Sequence, residues 1–284
     1  MCDITSVSVK REPAVAGKFY TDNKKRLEES VDRFIDDAVV DSADAKGAYS
    51  YVAPHAGYKY SGRVAGFTYK ALSMKKDLDK IDAFVMIGPN HTGLGCPVSI
   101  SGRNWKTPLG VVENDLALTN EILRQSEKFT LDESAHGLEH SIEVQLPFLQ
   151  RVVDRPRCCF ICMGDQSLEY CAVLSEAIIA ASKILSRNIT VIASSDFNHY
   201  EPAGVANRKD NAVLGALEKL DFDDFHAKIE RYKDSACGYG PITACGMFAK
   251  AMGASAGKLL KYSNSGDITK DYKSVVAYSS IIFV

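Results

Sequence analysis

Three times in this chain a short apolar run stops at a loop that carries a histidine. Residues 83–87 (AFVMI) run into Gly88-Pro89-Asn90-His91, and residues 49–53 (YSYVA) into Pro54-His55-Ala56-Gly57. Residues 189–193 (ITVIA) run into Ser194-Ser195-Asp196-Phe197-Asn198-His199. Five or so apolar residues closed by turn formers are buried strands. In an open parallel sheet, ligands bind beyond the carboxyl ends of the strands. One edge of a single sheet would therefore gather His55, His91 and His199.

The segments between these runs carry helical periodicity. Leu27, Val31, Phe34, Ile35 and Val39 predict a helix over 22–39, and Val64, Phe67, Ala71 and Leu72 predict another with Ser61 as its N-cap. Strand, histidine loop, helix and strand make a βαβ unit with a right-handed crossover. Short strands are expected at 98–101 and 110–112 around a turn at 106–108, and a buried strand at 158–163. Further helices are expected over 115–126, 168–185, 205–220, 222–232 and 238–252. Leu138, Ile142, Leu146 and Leu149 mark one face of another helix, which Pro147 bends or ends. Two strands, 259–262 and 275–284, flank a turn at 264–267, while residues 1–20 read as irregular. No repeat or linker breaks the alternation. The chain reads as one α/β domain over 1–284, a mainly parallel central sheet with helices on both faces.

Composition bounds the partners. Of 284 residues, 46% are hydrophobic and 25% charged, and the net charge is −2 with no Lys/Arg-rich block. Nucleic acid and anionic membranes are not expected partners. No apolar run reaches membrane-spanning length, and the start, MCDITSVSVKREP, lacks the apolar centre of a signal peptide. Eight cysteines (2, 96, 158, 159, 162, 171, 237 and 245) are too sparse for a disulfide scaffold, so reduced thiols and a cytoplasmic location are expected. Cys159 and Cys162 form a C-x-x-C pair inside a strand, where alternation sends them to opposite faces and favours a buried-strand role over a metal or redox one.

The residues that carry chemistry sit at the loops. His55 and His91, flanked by Pro and Gly, offer imidazoles to a transition metal, although a lone loop histidine is also a common hydrogen-bonded structural residue. Cys237 lies just ahead of a helix opened by Pro241, where the positive helix end favours a thiolate that ligates or attacks; a packing role also fits. Asp196 and His199 share one loop and pair as carboxylate and imidazole for acid/base work. Glu139, His140 and Glu143 fall at i, i+1 and i+4. Only the two carboxylates share a helical face, so supporting or capping roles are expected rather than direct ligation. This H-x-x-E is not the H-E-x-x-H of zinc proteases, and no phosphate-binding glycine loop or G-x-S-x-G is present. His136 and His226 read as structural or exposed.

In order, residues 13–20 (PAVAGKFY), 53–58 (APHAGY), 88–93 (GPNHTG), 139–149 (EHSIEVQLPFL), 194–200 (SSDFNHY), 237–242 (CGYGPI) and 262–267 (YSNSGD) resemble the Memo family. That family shares a fold with the class III extradiol dioxygenases, which are non-haem iron enzymes. The resemblance implies a three-layer αβα fold and a metal centre of His55, His91 and Cys237, with His199 as acid/base and Asp196 beside it. It implies Fe(II) first, with copper or zinc as alternatives. In the related dioxygenases two histidines and a glutamate hold the iron. Cys237 stands in the place of that glutamate, which makes the site softer and puts ring cleavage in doubt.

Two functions fit this reading. One is a metal-dependent, O₂-linked or otherwise oxidative enzyme acting on a small molecule or peptide in the cleft. The other is a non-catalytic protein that binds a peptide or partner on the same scaffold, in keeping with the association of eukaryotic members with cell-motility signalling. A cysteine hydrolase using Cys237 with His199 has the residue types but no local signature.

Overall fold

A computed structural model describes residues 9–284; the reading of residues 1–8, Cys2 among them, lies outside the described residues. In chain order the elements are β1 (Lys10–Arg11), α1 (Lys24–Asp36), α2 (Ser42–Gly47), β2 (Ser50–Ala53), α3 (Tyr58–Ser73), β3 (Ala83–Pro89), β4 (Val98–Ser101), β5 (Asn104–Thr107) and β6 (Gly110–Asn114). They continue as α4 (Leu116–Gln125), β7 (Phe129–Leu131), α5 (Leu146–Val152), β8 (Arg157–Met163), α6 (Leu168–Leu185), β9 (Ile189–Ser194) and β10 (Asp196–Glu201). The last are α7 (Ala203–Leu217), α8 (Phe222–Tyr232), α9 (Tyr239–Met252), β11 (Gly257–Asn264), α10 (Gly266–Thr269) and β12 (Val275–Phe283).

The centre is a parallel run in the order β6-β8-β3-β9-β2. β12 adds antiparallel to β2, and β10 and β11 add antiparallel to β12. The parallel strands are buried on both faces because alternate residues enter different cores. Val85, Ile87, Cys159 and Ile161 pack with Leu174, Ile178 and Phe248 on one side. Phe84, Met86, Cys158 and Phe160 pack with Leu27, Leu72 and Phe148 on the other. The result is the expected αβα domain.

Local chemistry explains the departures. α1 stops at Asp36, and Val39 is left 85% exposed, because Leu27, Val31, Phe34 and Ile35 already fill the buried stripe. α3 begins at Tyr58 with Gly57 as N-cap, so Ser61 lies one turn inside and its hydroxyl donates to the Ala56 carbonyl at 2.8 Å. The tight hairpin joins β5 to β6, whereas β4 pairs β7 and β8. α7 starts at Ala203 and ends at Leu217. Cys159 belongs to one core, while the Cys162 thiol turns toward the Pro89 carbonyl at 3.7 Å; burial pushes Cys159 up to about 12 and Cys162 up as well, so both remain thiols. The cysteines among the described residues are all free, and no helix there is long and apolar enough to cross a membrane.

Two departures shape the functional edge. The helix expected from Leu138 onward does not form: residues 138–142 are irregular, Glu143–Gln145 make a 3₁₀ turn, and α5 then starts with Pro147 in its first turn, where a missing N–H costs nothing. Leu138 is exposed. Asp196 and His199 also lie on a strand, β10, and not in a loop. Its register against β12 is irregular on either side of His199, and Tyr200 has φ of 61°. Bulges of this kind re-aim side chains.

Candidate metal centre

β2, β3 and β9 end side by side, and their carboxyl ends open into a cleft of about 640 Å³. His55, His91, His140, Asp196, His199 and Cys237 all line it. The gathering expected from the strand ends is present, with one histidine more than expected.

Three of these imidazoles, His55, His91 and His199, are each held by a group that sets the tautomer. Ser194, the last residue of β9, donates its hydroxyl to the Ser141 carbonyl at 2.7 Å. Its Oγ must therefore accept from His55 Nδ1–H at 2.9 Å, which leaves His55 Nε2 as the bare lone pair. Glu139 does the same for His91: Nδ1 lies 2.9 Å from Oε1, so His91 Nε2 is the free nitrogen. A carboxylate behind a histidine is the usual way a ligating ring is oriented and made more basic. His199 Nδ1 faces the Ser235 carbonyl at 3.0 Å, so its Nε2 is a lone pair as well.

His140 completes the group. Its ring stacks on His91 with centroids 4.6 Å apart and meets His55 edge-on at 5.4 Å. Phe19 from the N-terminal segment backs it at 4.8 Å. One donor atom from each of His55, His91 and His140 lies within 4.8 Å of the others. Burial lowers the affinity of His55, His140 and His199 for protons, and the crowding of His55 by His91 and His140 adds to it. Three imidazole donor atoms gathered this closely are a set that a transition metal can take.

Cys237 adjoins this set. Its Sγ is 3.1 Å from His55 Nε2 and 3.6 Å from the Asp196 carbonyl. Gly238 lets the loop come this close, because a Cβ there would collide with the Ser194 carbonyl. Burial, and then the Asp196 carboxyl, push the Cys237 thiol up, so the helix end does not produce the thiolate expected of it without a bound ion. The thiol pairs with His55 and not with His199.

The two glutamates are fully buried and do support work. Glu139 accepts from His91 N–H and Nδ1–H and from the N–H groups of His140 and Ser141. Burial alone would push its carboxyl up; the His91 hydrogen bond and those N–H groups override this and hold it well below the usual range. Glu143 accepts from Arg11, Ala14 N–H, Val15 N–H and the Tyr20 hydroxyl. It thereby ties the N-terminal segment that carries Phe19 to the cleft wall.

Asp196 does not touch His199 as an orienting carboxylate would. Its Oδ1 accepts from His55 N–H at 2.8 Å and Ala56 N–H at 3.3 Å, and burial pushes it up to about 7. Ser235 orients His199 instead, with its hydroxyl accepting the backbone N–H at 2.8 Å. No sequence motif marks Ser235. His136 is buried with its Nε2 on the Ser99 carbonyl, and His226 bonds Thr243, so both are structural.

A family profile described as Memo-like protein matches residues 11–282. A MEMO1 family protein of Methanosarcina barkeri is 41% identical over 96% of this chain and 99% of its own. Relatives of the same description from Methanocaldococcus jannaschii and Nitrosopumilus maritimus are 40% and 37% identical, each over 96% of this chain. An uncharacterized protein of Escherichia coli K12 has a similar fold, with a TM-score of 0.51 and 14% identity over 81% of this chain and 98% of that one.

Proposed function

The chain belongs to the Memo family, and from that premise we propose that it is a mononuclear metal protein with an oxidative, O₂-linked activity, iron(II) being its ion. The observation that carries this reading is the three-imidazole group of His55, His91 and His140 at the floor of an open cleft. Imidazole donors suit iron, and copper and zinc are the alternatives that metal analysis separates from it. Iron(II) in this position would supply one-electron redox chemistry and open positions for a substrate.

The chain's own groups then divide the remaining work. His55 and His91 present fixed Nε2 lone pairs, and His140 closes the set. Cys237, touching His55, would join as a soft donor once it loses its proton. His199 Nε2 faces the same cleft and would accept a proton from a bound substrate. Asp196 holds the His55 loop by two N–H groups and would contact the same substrate from the cleft wall. Phe19, Tyr60, Tyr200 and Tyr278 give the cleft an aromatic lining, with no Lys or Arg among the described residues that line it, which suits a small molecule or peptide without strong negative charge.

Protein purified without oxygen and analysed for metals tests the reading. About one ion per chain is expected, lost in His55→Ala and His91→Ala, with oxygen uptake that appears when candidate substrates are added and fails in His199→Ala. A chain that binds no metal under iron, copper or zinc loading contradicts it. So does a loaded chain that consumes no oxygen with a broad panel of phenols and peptides, which would leave partner binding as the function.

A further inference from the structure

Behind His199, away from the cleft, lies a second cluster of buried acids. Asp210 on α7 is fully buried, and Asp234 in the segment before Cys237 is nearly so. Their carboxyl groups face each other within hydrogen-bonding reach. Two carboxylates offer only acceptors, so a bond between them needs a proton.

The surroundings supply too little to replace that proton. Asp210 receives the Tyr262 hydroxyl from β11 at 2.6 Å and the Asn198 N–H from β10 at 3.2 Å. Asp234 Oδ1 receives Ala236 N–H at 2.9 Å, while its Oδ2 has no other donor. Lys209 on α7 is the near cation; it is engaged by Glu201 on β10 at 2.7 Å and by the Lys233 carbonyl at 3.3 Å. His199 feels Asp234 from the cleft side. The side-chain amide of the fully buried Asn198 has no partner at either end.

The placement gives the pair a consequence for the cleft. Asp234 is followed directly by Ser235, whose carbonyl takes His199 Nδ1–H and whose hydroxyl takes His199 N–H. On the other flank, Asn198 N–H on Asp210 fixes the strand residue just before His199. We propose that Asp210 and Asp234 share one proton and, by clamping α7 to the segment 233–236, act as positioning residues that hold Ser235 against His199 and so keep its Nε2 a lone pair. Loss of the shared proton sets two charges against each other in a buried site and so loosens the clamp on the segment that carries Ser235. Burial, and then the facing Asp234 carboxyl, push Asp210 up to about 8, which puts that loss just above neutral pH.

The test reads the tautomer of His199 by ¹⁵N shifts of its ring in the full chain between pH 6 and 10, without added metal. The wild-type chain should hold the Nδ1–H form at pH 6–7 and pass to a mixture with the Nε2–H form as pH rises through about 8. In Asp210→Asn the amide replaces the shared proton, and the Nδ1–H form should persist to pH 10. Asp234→Asn makes the same change from the other side and carries the same expectation if the first variant does not fold. A merely structural pair would alter melting temperature in these variants without moving the tautomer's pH profile. A wild-type ring that keeps one tautomer to pH 10 overturns the proposal, as does a variant that follows the wild-type curve. Neither result depends on whether the cleft binds a metal.

Discussion

Behind the two walls of the cleft lie buried carboxyl groups that are supplied with hydrogen bonds in opposite ways. On one wall, Glu139 and Glu143 are fully buried, and each receives four donors. On the other, Asp196, Asp210 and Asp234 are buried with fewer donors, and burial pushes all three up. Burial depth is similar for Glu139 and Asp196, so the number of hydrogen bonds separates these two. The saturated wall frames the imidazoles, with Glu139 held well below the usual range; the under-supplied wall holds protons more tightly, and beside it sits the Cys237 thiol.

The largest effect should come from breaking the saturated wall. Glu143→Ala leaves the Arg11 guanidinium buried and unpaired, together with the freed Tyr20 hydroxyl. Stability should fall by about 3–5 kcal/mol in urea unfolding; a loss under about 1 kcal/mol would show that the frame is ornamental.

The other wall should announce itself through pH. Asp210 has a folded-state pKa of about 8, against about 3.9 in an unfolded chain. Between these values the folded state binds the extra proton, so its stabilising effect is full below about pH 4 and declines as pH rises to about 8. Unfolding free energy should drop with a slope approaching 1.4 kcal/mol per pH unit there, about a few kcal/mol in all. Asp210→Asn should flatten that slope and so gain on the wild type as pH rises from 5 to 8. Equal slopes in the two proteins would remove the contrast between the walls.

Glu139→Gln sharpens the comparison at the metal itself. The amide still fills the space but no longer fixes the His91 tautomer, and metal affinity should fall about 10–100-fold in competition titrations. The smallest effect concerns Tyr200, an exposed aromatic held at φ of 61° on the rim. Tyr200→Gly should raise stability by about 1 kcal/mol by relieving a left-handed backbone. If it destabilises instead, the ring is doing packing work that its exposure does not suggest.

The strand-and-loop grammar made much of this molecule readable. Runs closed by Gly, Pro or Ser located β2, β3 and β9 within a residue or two, and from them came the sheet edge with His55, His91 and His199. His140 reads in the sequence as a supporting residue and not as a donor, for a physical reason. Spacing of Leu138, Ile142, Leu146 and Leu149 mimics a helix, and on a helix His140 faces away from its neighbours. In the folded chain residues 138–142 stay irregular, the Glu139 carboxylate accepts the N–H groups of His140 and Ser141, and the imidazole enters the cleft. The E-H-S string ahead of a proline was the available signal. Ser235, Asp210 and Asp234 left no trace, because a contact between a loop and a helix 24 residues away has no periodicity to read.

The account rests on three imidazoles sharing one ion. An anaerobic crystal of the chain soaked with iron(II), with diffraction recorded on both sides of the iron absorption edge, locates that ion directly. A single anomalous peak within bonding distance of His55, His91 and His140 nitrogens is the predicted result. A peak elsewhere, a peak that bonds His55 and His91 while His140 stands clear of it, or no peak at all under saturating iron would contradict the account.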